Sequence, residues 1–435
     1  MFEILSIQLQ IVFFIFLSLF PLNIFSKQNL IVKNYHLTLI DRIILNVLIH
    51  VNLIFCLSIL RIDFQYIFLL QIIFGIIFLF FFYKNKNFEI RNLYFLIFIF
   101  FITSILSIII ASELILGWDA DFRWIIKALN FFQGNNVENL KTLTDNEYPF
   151  LGSLLWAYFW KFSFLKYEYF GRLFYLYLFI ITILSLTDIL KTNFKNKIII
   201  SIVSILFLFK YSYFNGYQDV LIFSLICYLG KFYYFKFIIF NKTKIVSFEI
   251  LILTILFNTL FWIKNEGMVY ALFFLIIYFL LNKYKLYNLK LMISFVLIFT
   301  IKYLIYKNLN LPFLIQGETY NKSFLDFDLN ILITRFILVI KFYFIFLFDN
   351  IIMIVNLISF ILIIKFNYNI NFIKFFVLFF ILNLSFIFGS HMLMNLQNLD
   401  FWIKYSIGRF IFQTSGFYLL AFFILCNIQI TRMNK

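Results

Sequence analysis

Proline, cysteine and histidine each occur only three times in this chain of 435 residues, glycine 12 times, and charged residues make up 13%. Each scarcity excludes something. Cys56, Cys227 and Cys426 lie far apart, each in or at the end of an apolar run, so they frame neither a disulfide scaffold nor a metal cluster. His36, His50 and His391 are equally scattered, which argues against a histidine-based metal site. No Gly-rich phosphate loop, Pro/Ser linker, heptad or internal repeat is visible, so nothing divides the chain into separate soluble domains. With 64% hydrophobic residues, a soluble domain could not hide its apolar surface, whereas a bilayer takes it up directly.

What is present is one apolar run after another, without the alternation of a β-barrel, and only helices or closed barrels span lipid. The expectation is an all-α, polytopic helical membrane protein with about 13 transmembrane helices. They are placed near 5–25, 42–60, 65–83, 93–112, 172–190, 198–210, 219–239, 247–263, 268–282, 288–305, 350–365, 373–390 and 414–428. The first is too long, and too poorly followed by a cleavage site, to be a removable signal peptide. Span interiors read as nearly free of charge. The 69 Phe reflect A/T-rich codons rather than an aromatic function. The net charge of +16 sits in short loops between spans, which points to anionic lipid and not to nucleic acid.

Lys/Arg in the short loops sets the orientation. Clusters at Lys27, Lys33 and Arg42; Lys84, Lys86 and Arg91; Lys191, Lys195 and Lys197; Lys236, Lys242 and Lys244; and Lys283, Lys285 and Lys290 are placed in the cytoplasm. The N-terminus and the loop 113–148 are then outside and the tail Arg432–Lys435 inside. Segments 150–165 and 331–347 conflict with this alternation and are read as interfacial helices at the outer surface, the first suited by Trp156, Tyr158 and Trp160. The chain divides into a four-helix segment (1–112), an acidic outer loop with interfacial helices (113–170) and the remaining membrane helices of the same domain (171–435).

Loop 113–148 is the one long polar stretch and holds six of the 20 Asp and Glu: Glu113, Asp119, Asp121, Glu138, Asp145 and Glu147. Scarce carboxylates gathered beside a bilayer mark the place to look for chemistry. In a helix, Asp119 and Asp121 diverge by about 200° and only one faces a pocket. In an extended segment they share a face and could hold a divalent metal. Either could solvate the loop or cap the following helix instead. The orientation brings further clusters to the same side, including Glu168 and Arg172, Asp219, Lys264 with Glu266, the loop 306–330 with Glu318, Asp326 and Asp328, and the stretch 390–412 with His391 and Arg409. Together they suggest one shared extracytoplasmic pocket.

Taken in order, these elements resemble the C-type (GT-C) membrane glycosyltransferases, the group that includes protein O-mannosyltransferases and lipid A aminoarabinose transferases. The resemblance covers roughly residues 112–428. It rests on the acidic motif Asp119-x-Asp121, Tyr148-Pro149 leading an apolar helix, Glu168 and Arg172, Tyr217 and Asp219 opening a span, Lys264 to Gly267, and Arg409 before the last span. The chain departs from the pattern in having four spans before the acidic loop and Phe150 where a second proline is usual. The resemblance implies transfer of a sugar from a polyprenyl-phosphate carrier to a lipid, glycan or protein acceptor on the extracytoplasmic face. It further implies Asp119 or Asp121 as general base, and Arg123, Glu168, Arg172, Asp219, Lys264, Glu266 and Arg409 as substrate-binding groups, with Arg409 or Lys264 on the departing phosphate. A bacterial inner (plasma) membrane is the expected location. An O-antigen-type polymerase or ligase would concentrate Arg and His in a later loop. A transporter would show inverted repeats and mid-membrane charge.

Overall fold

The computed structural model describes residues 2–22, 24, 31–32, 35–84, 90–134, 136–239, 247–281, 285–313, 329–366, 368–392 and 399–433. Lys27, Lys33, Lys86, Lys242, Lys244, Lys283, Glu318, Asp326 and Asp328, named above, lie outside them. The helices are α1 (Phe2–Ser18), α2 (Leu39–Ile59), α3 (Phe64–Lys84), α4 (Ile90–Ser112), α5 (Ile125–Phe132), α6 (Leu151–Lys161), α7 (Tyr169–Leu186) and α8 (Phe194–Leu208). They continue with α9 (Asp219–Tyr233), α10 (Ser247–Ile263), α11 (Asn265–Leu281), α12 (Lys285–Asn308), α13 (Leu329–Asp349), α14 (Ile351–Lys365), α15 (Ile370–Met392) and α16 (Leu399–Met433). Among the described residues the one strand pairing is a two-residue antiparallel contact, Ile31 opposite His36. The fold is all-α, and the chain is a multi-spanning integral membrane protein.

The count of about 13 spans does not hold. Among the described residues seven helices are long and apolar enough to cross a membrane, or eight if α13 and α14, bent by 88°, form one broken span. The physical reason is that apolar composition does not separate a lipid-facing helix from a core helix. Helix α9 has 15 residues, about 22 Å at 1.5 Å per residue against a hydrocarbon core of ~30 Å. Every residue of α9 is buried, so its apolar side chains face protein. Helices α1, α10 and α11, of 17 residues each, and α8, of 15, are likewise short.

The expected interfacial helix at 150–165 is corrected as well. Residues Leu151–Trp160 of α6 are all buried, packed against α5 and α7. Its indoles find partners inside the protein rather than among lipid headgroups: Trp156 Nε1 donates to Glu168 O at 3.3 Å and Trp160 Nε1 to Lys166 O at 2.8 Å. Segment 331–347 belongs to α13. Its Arg335 donates to Met392 O at 2.8 Å, which ties it to the end of α15.

Two wholly buried helices, α7 and α9, form the centre, and α16 runs along α9. Gly416 permits that approach, because a Cβ there would lie 2.6 Å from Phe223 O. Phe379 stacks on Phe417 at 3.9 Å and Phe223 on Phe412 at 5.2 Å, so aromatic side chains fill the surrounding space.

Buried charges gather near helix ends, and one, Lys302, lies within the span of α12. At the far end of α9 from Asp219, the buried Lys231 ammonium lies 2.7 Å from Asp41 Oδ1 and 2.6 Å from Asp188 Oδ2. Asp41 also closes the capping box of α2 with Thr38, whose hydroxyl donates to Asp188 at 2.8 Å. Lys236 pairs with Glu249 at 2.5 Å, and Lys302 donates to Phe261 O at 2.9 Å. A buried pair adds little net stability, but breaking it strands a charge. Lys231→Met should therefore lower stability by on the order of 3–5 kcal/mol. Asp41→Asn in that background should restore part of the loss. Thermal unfolding of the purified variants in detergent checks both.

Candidate functional site

Polar side chains from five separate parts of the chain meet at the opposite end of α9. After α4 the chain runs to Gly117, whose amide donates to Asn215 O at 2.9 Å. A Cβ at Gly117 would sit 2.3 Å from the Tyr217 ring, so this approach needs glycine. Asp119 then has helical backbone and leads a π-helical turn, Ala120–Trp124, into α5. The helical alternative for Asp119 and Asp121 is thus the one realised, and the two carboxylates part. Asp119 is buried and Asp121 exposed.

Arg409 joins the pieces. Its Nη1 pairs with Asp119 Oδ2, and its Nε lies 2.9 Å from Asp219 Oδ2. Arg123 approaches the other Asp119 oxygen at 3.5 Å and Asp145 Oδ2 at 3.0 Å. Lys264, ahead of α11, reaches Asp219 Oδ1 at 2.9 Å and Glu266 Oε1 at 3.4 Å. Gln413 donates to Asp219 Oδ1 and accepts from Tyr270 at 2.9 Å. Rings complete the setting. The Arg409 guanidinium lies 5.0 Å from the Tyr217 ring and 5.3 Å from that of Tyr405, and the two hydroxyls are 2.6 Å apart.

Three cations, Arg123, Lys264 and Arg409, thus share four carboxylates, Asp119, Asp145, Asp219 and Glu266. The carboxylates are not equivalent. Asp219 receives three donors and is saturated as a positioning group. Asp119 is held by guanidinium groups only. Glu266 Oε2 is buried without a hydrogen-bond partner, the least satisfied oxygen of the set.

Of the residues singled out from the sequence, Asp119, Arg123, Asp219, Lys264, Glu266 and Arg409 are brought together. Asp121 is not. Glu168 and Arg172 stand apart as an i,i+4 pair at 2.8 Å, and the wholly buried Arg172 also donates to Phe214 O at 2.9 Å. They fix the segment leading to Tyr217 rather than facing the network. Burial pushes the Glu168 carboxyl up, against the pull of Arg172. Asp119 and Asp121 do not fit a shared metal, since they diverge and Asp119 is engaged by arginine. Among the described residues no group of three or more His, Cys, Asp or Glu is placed to hold a metal.

Other members follow from helix spacing. Gln413 lies four residues after Arg409 and Tyr270 four after Glu266, the spacing that puts two side chains on one helix face. Lys127, four residues after Arg123, is almost fully buried, and its ammonium donates to Asp145 O at 2.7 Å and Tyr148 O at 2.9 Å. It pins the turn where Asp145 takes a left-handed φ of 54°.

Burial pulls the Lys127 amine down to about 7, against the opposing effect of Glu147 and Asp145. The unfolded chain holds that proton to about pH 10.4. Between those values the unfolded state binds more protons, so stability contributed at Lys127 rises with pH from about 7 towards 10. Relative to Lys127→Met, the native chain should gain melting temperature from pH 6.5 to 9.5. A flat difference across that range would contradict the assignment.

No protein-family model, curated protein or solved structure matches this chain.

Proposed function

We propose that the protein is a membrane glycosyltransferase that moves a sugar from a polyprenyl-phosphate carrier to a hydroxyl-bearing lipid, glycan or protein acceptor at the extracytoplasmic surface. The observation that carries this reading is the ion pair between Asp119 and Arg409, residues separated by 290 positions and placed at the end of the bundle with Asp219, Lys264 and Glu266. A base and phosphate-binding cations within one linked network match what transfer from a lipid phosphate requires. A hydroxyl is a poor nucleophile without a proton acceptor, and a leaving phosphate needs cationic stabilisation.

The resting network suggests how the two roles are coupled. Arginine binds phosphate as readily as carboxylate, by the same fork of N–H donors. A lipid phosphate that draws Arg409 towards itself frees Asp119. Asp119 then accepts the proton of the acceptor hydroxyl as that oxygen bonds to the anomeric carbon and the carbon–oxygen bond to phosphate breaks. The carrier leaves as the phosphate, facing Arg409 and Lys264. Asp219, saturated by Lys264, Arg409 and Gln413, keeps both cations in place and takes no proton.

The opposite end carries Lys191, whose backbone amide donates to Asn427 Oδ1 near the end of α16, and the ion-paired Lys231 and Lys236. The loop with Lys191, Lys195 and Lys197 supports a cytoplasmic placement of that end, with the Asp119 end outside, and we assign the protein to a bacterial inner membrane.

Asp119→Asn should cut turnover with a polyprenyl-phosphate sugar by at least ~100-fold, as loss of a general base does. The variant should elute and melt as a folded protein. Asp121→Asn, outside the network, should leave turnover close to that of the native chain. Full activity in Asp119→Asn would refute the assignment of the base.

A further inference from the structure

At the Lys231 end of the bundle, away from the charge network, an open groove of about 580 Å³ lies between the turn after α7 and the last turns of α16. Lys191, Thr192, Asn193, Asn196 and Lys197 line one side and Ile430 the other. The turn is held in place by its own bonds. The Lys191 amide donates to Asn427 Oδ1 at 2.8 Å, and Asn193 Oδ1 caps α8 by accepting from the Asn196 amide at 3.1 Å. Asn196 Nδ2 donates to Thr192 Oγ1 at 3.2 Å. These bonds use acceptor atoms of Thr192 and Asn193, so the Thr192 hydroxyl proton and the Asn193 NH2 group stay available beside the two ammonium groups.

Among the described residues no carboxylate lines the groove. A metal ion or an organic cation would meet like charge and hydrogen-bond donors. An anion meets complementary groups on every polar wall, with charge-assisted bonds from lysine.

The course of the chain says which kind of anion. It leaves α7 where Asp188 pairs with Lys231, and it arrives at Asn215, whose carbonyl meets the Gly117 amide at the other end of the bundle. Helix α8 therefore runs along the bundle from one end towards the other, about 22 Å for its 15 residues. Ile199, Val203 and Leu206 on it are 49%, 58% and 56% exposed. They repeat at i, i+4 and i+7, and Asn196 falls on the same face, so the stripe begins where the groove ends. On a membrane protein an exposed apolar stripe of this kind lies against lipid chains. Donors for an anion at the head of a stripe for acyl chains match a phospholipid. A free phosphate would leave the stripe unused.

We propose that this groove binds the headgroup of one anionic phospholipid, whose chains run along the exposed face of α8. The site is independent of the transferase reading.

The test is native mass spectrometry of the full-length protein from detergent, with phosphatidylglycerol or phosphatidylcholine of the same chains added. Phosphatidylglycerol should be retained at a several-fold lower concentration than phosphatidylcholine. Lys191→Gln should weaken its retention roughly fivefold, the worth of one lysine near an anionic headgroup. Asn193→Asp keeps a side chain that caps α8 but sets a negative charge in the groove, so it should abolish the preference while the melting temperature holds. Lys195→Gln, which removes the same charge outside the groove, should leave retention unchanged. Inorganic phosphate at the concentration of the lipid should not displace it. The proposal is overturned if the two lipids bind alike, if Lys195→Gln weakens binding as much as Lys191→Gln, if the preference survives Asn193→Asp, or if inorganic phosphate displaces the lipid.

Discussion

A guanidinium between two buried carboxylates holds this end of the molecule together. Arg409 meets Asp219 through Nε and Asp119 through Nη1, with the rings of Tyr217 and Tyr405 beside its guanidinium. Arginine does not give up its proton in a protein, so the carboxylates cannot be relieved of their partner by deprotonation. Removing it would leave two charges in poorly hydrated surroundings. In the transferase reading the carrier phosphate competes with Asp119 for this guanidinium.

The rest of the fold serves this contact. Helix α9 presents Asp219 at one end and Lys231 at the other, each tied to charged partners on different helices. Those pairs specify where α9 sits along its axis, which apolar packing against α7 and α16 leaves weakly specified. At the near end, Arg172 braces the segment before Tyr217, and Lys127 braces the turn that carries Asp145. Neither side chain touches the network's centre; both hold backbone that does.

How much of this could be read in advance differs by feature. The network was legible because polar residues are rare in this chain and recur at span ends. Asp119, Asp219, Lys264, Glu266 and Arg409 stood out against apolar runs, whereas the sequence left open whether Asp119 and Asp121 part on a helix or share a face on an extended segment. The number of spans was not legible, because a helix buried in protein and one buried in lipid use the same residues; α9 is the clear case. The Lys231, Asp41 and Asp188 cluster was hidden for another reason. Each residue lies in or beside an apolar run, 43 to 190 positions from its partner, and nothing local names that partner.

In the transferase reading the network receives a lipid phosphate. Incubating the purified protein in liposomes with a glycan acceptor, and with either a polyprenyl-phosphate sugar or the matching nucleotide sugar, tests it most directly. Transfer to the acceptor from the polyprenyl-phosphate sugar, and none from the nucleotide sugar, is the predicted result. Transfer from the nucleotide sugar alone would contradict it.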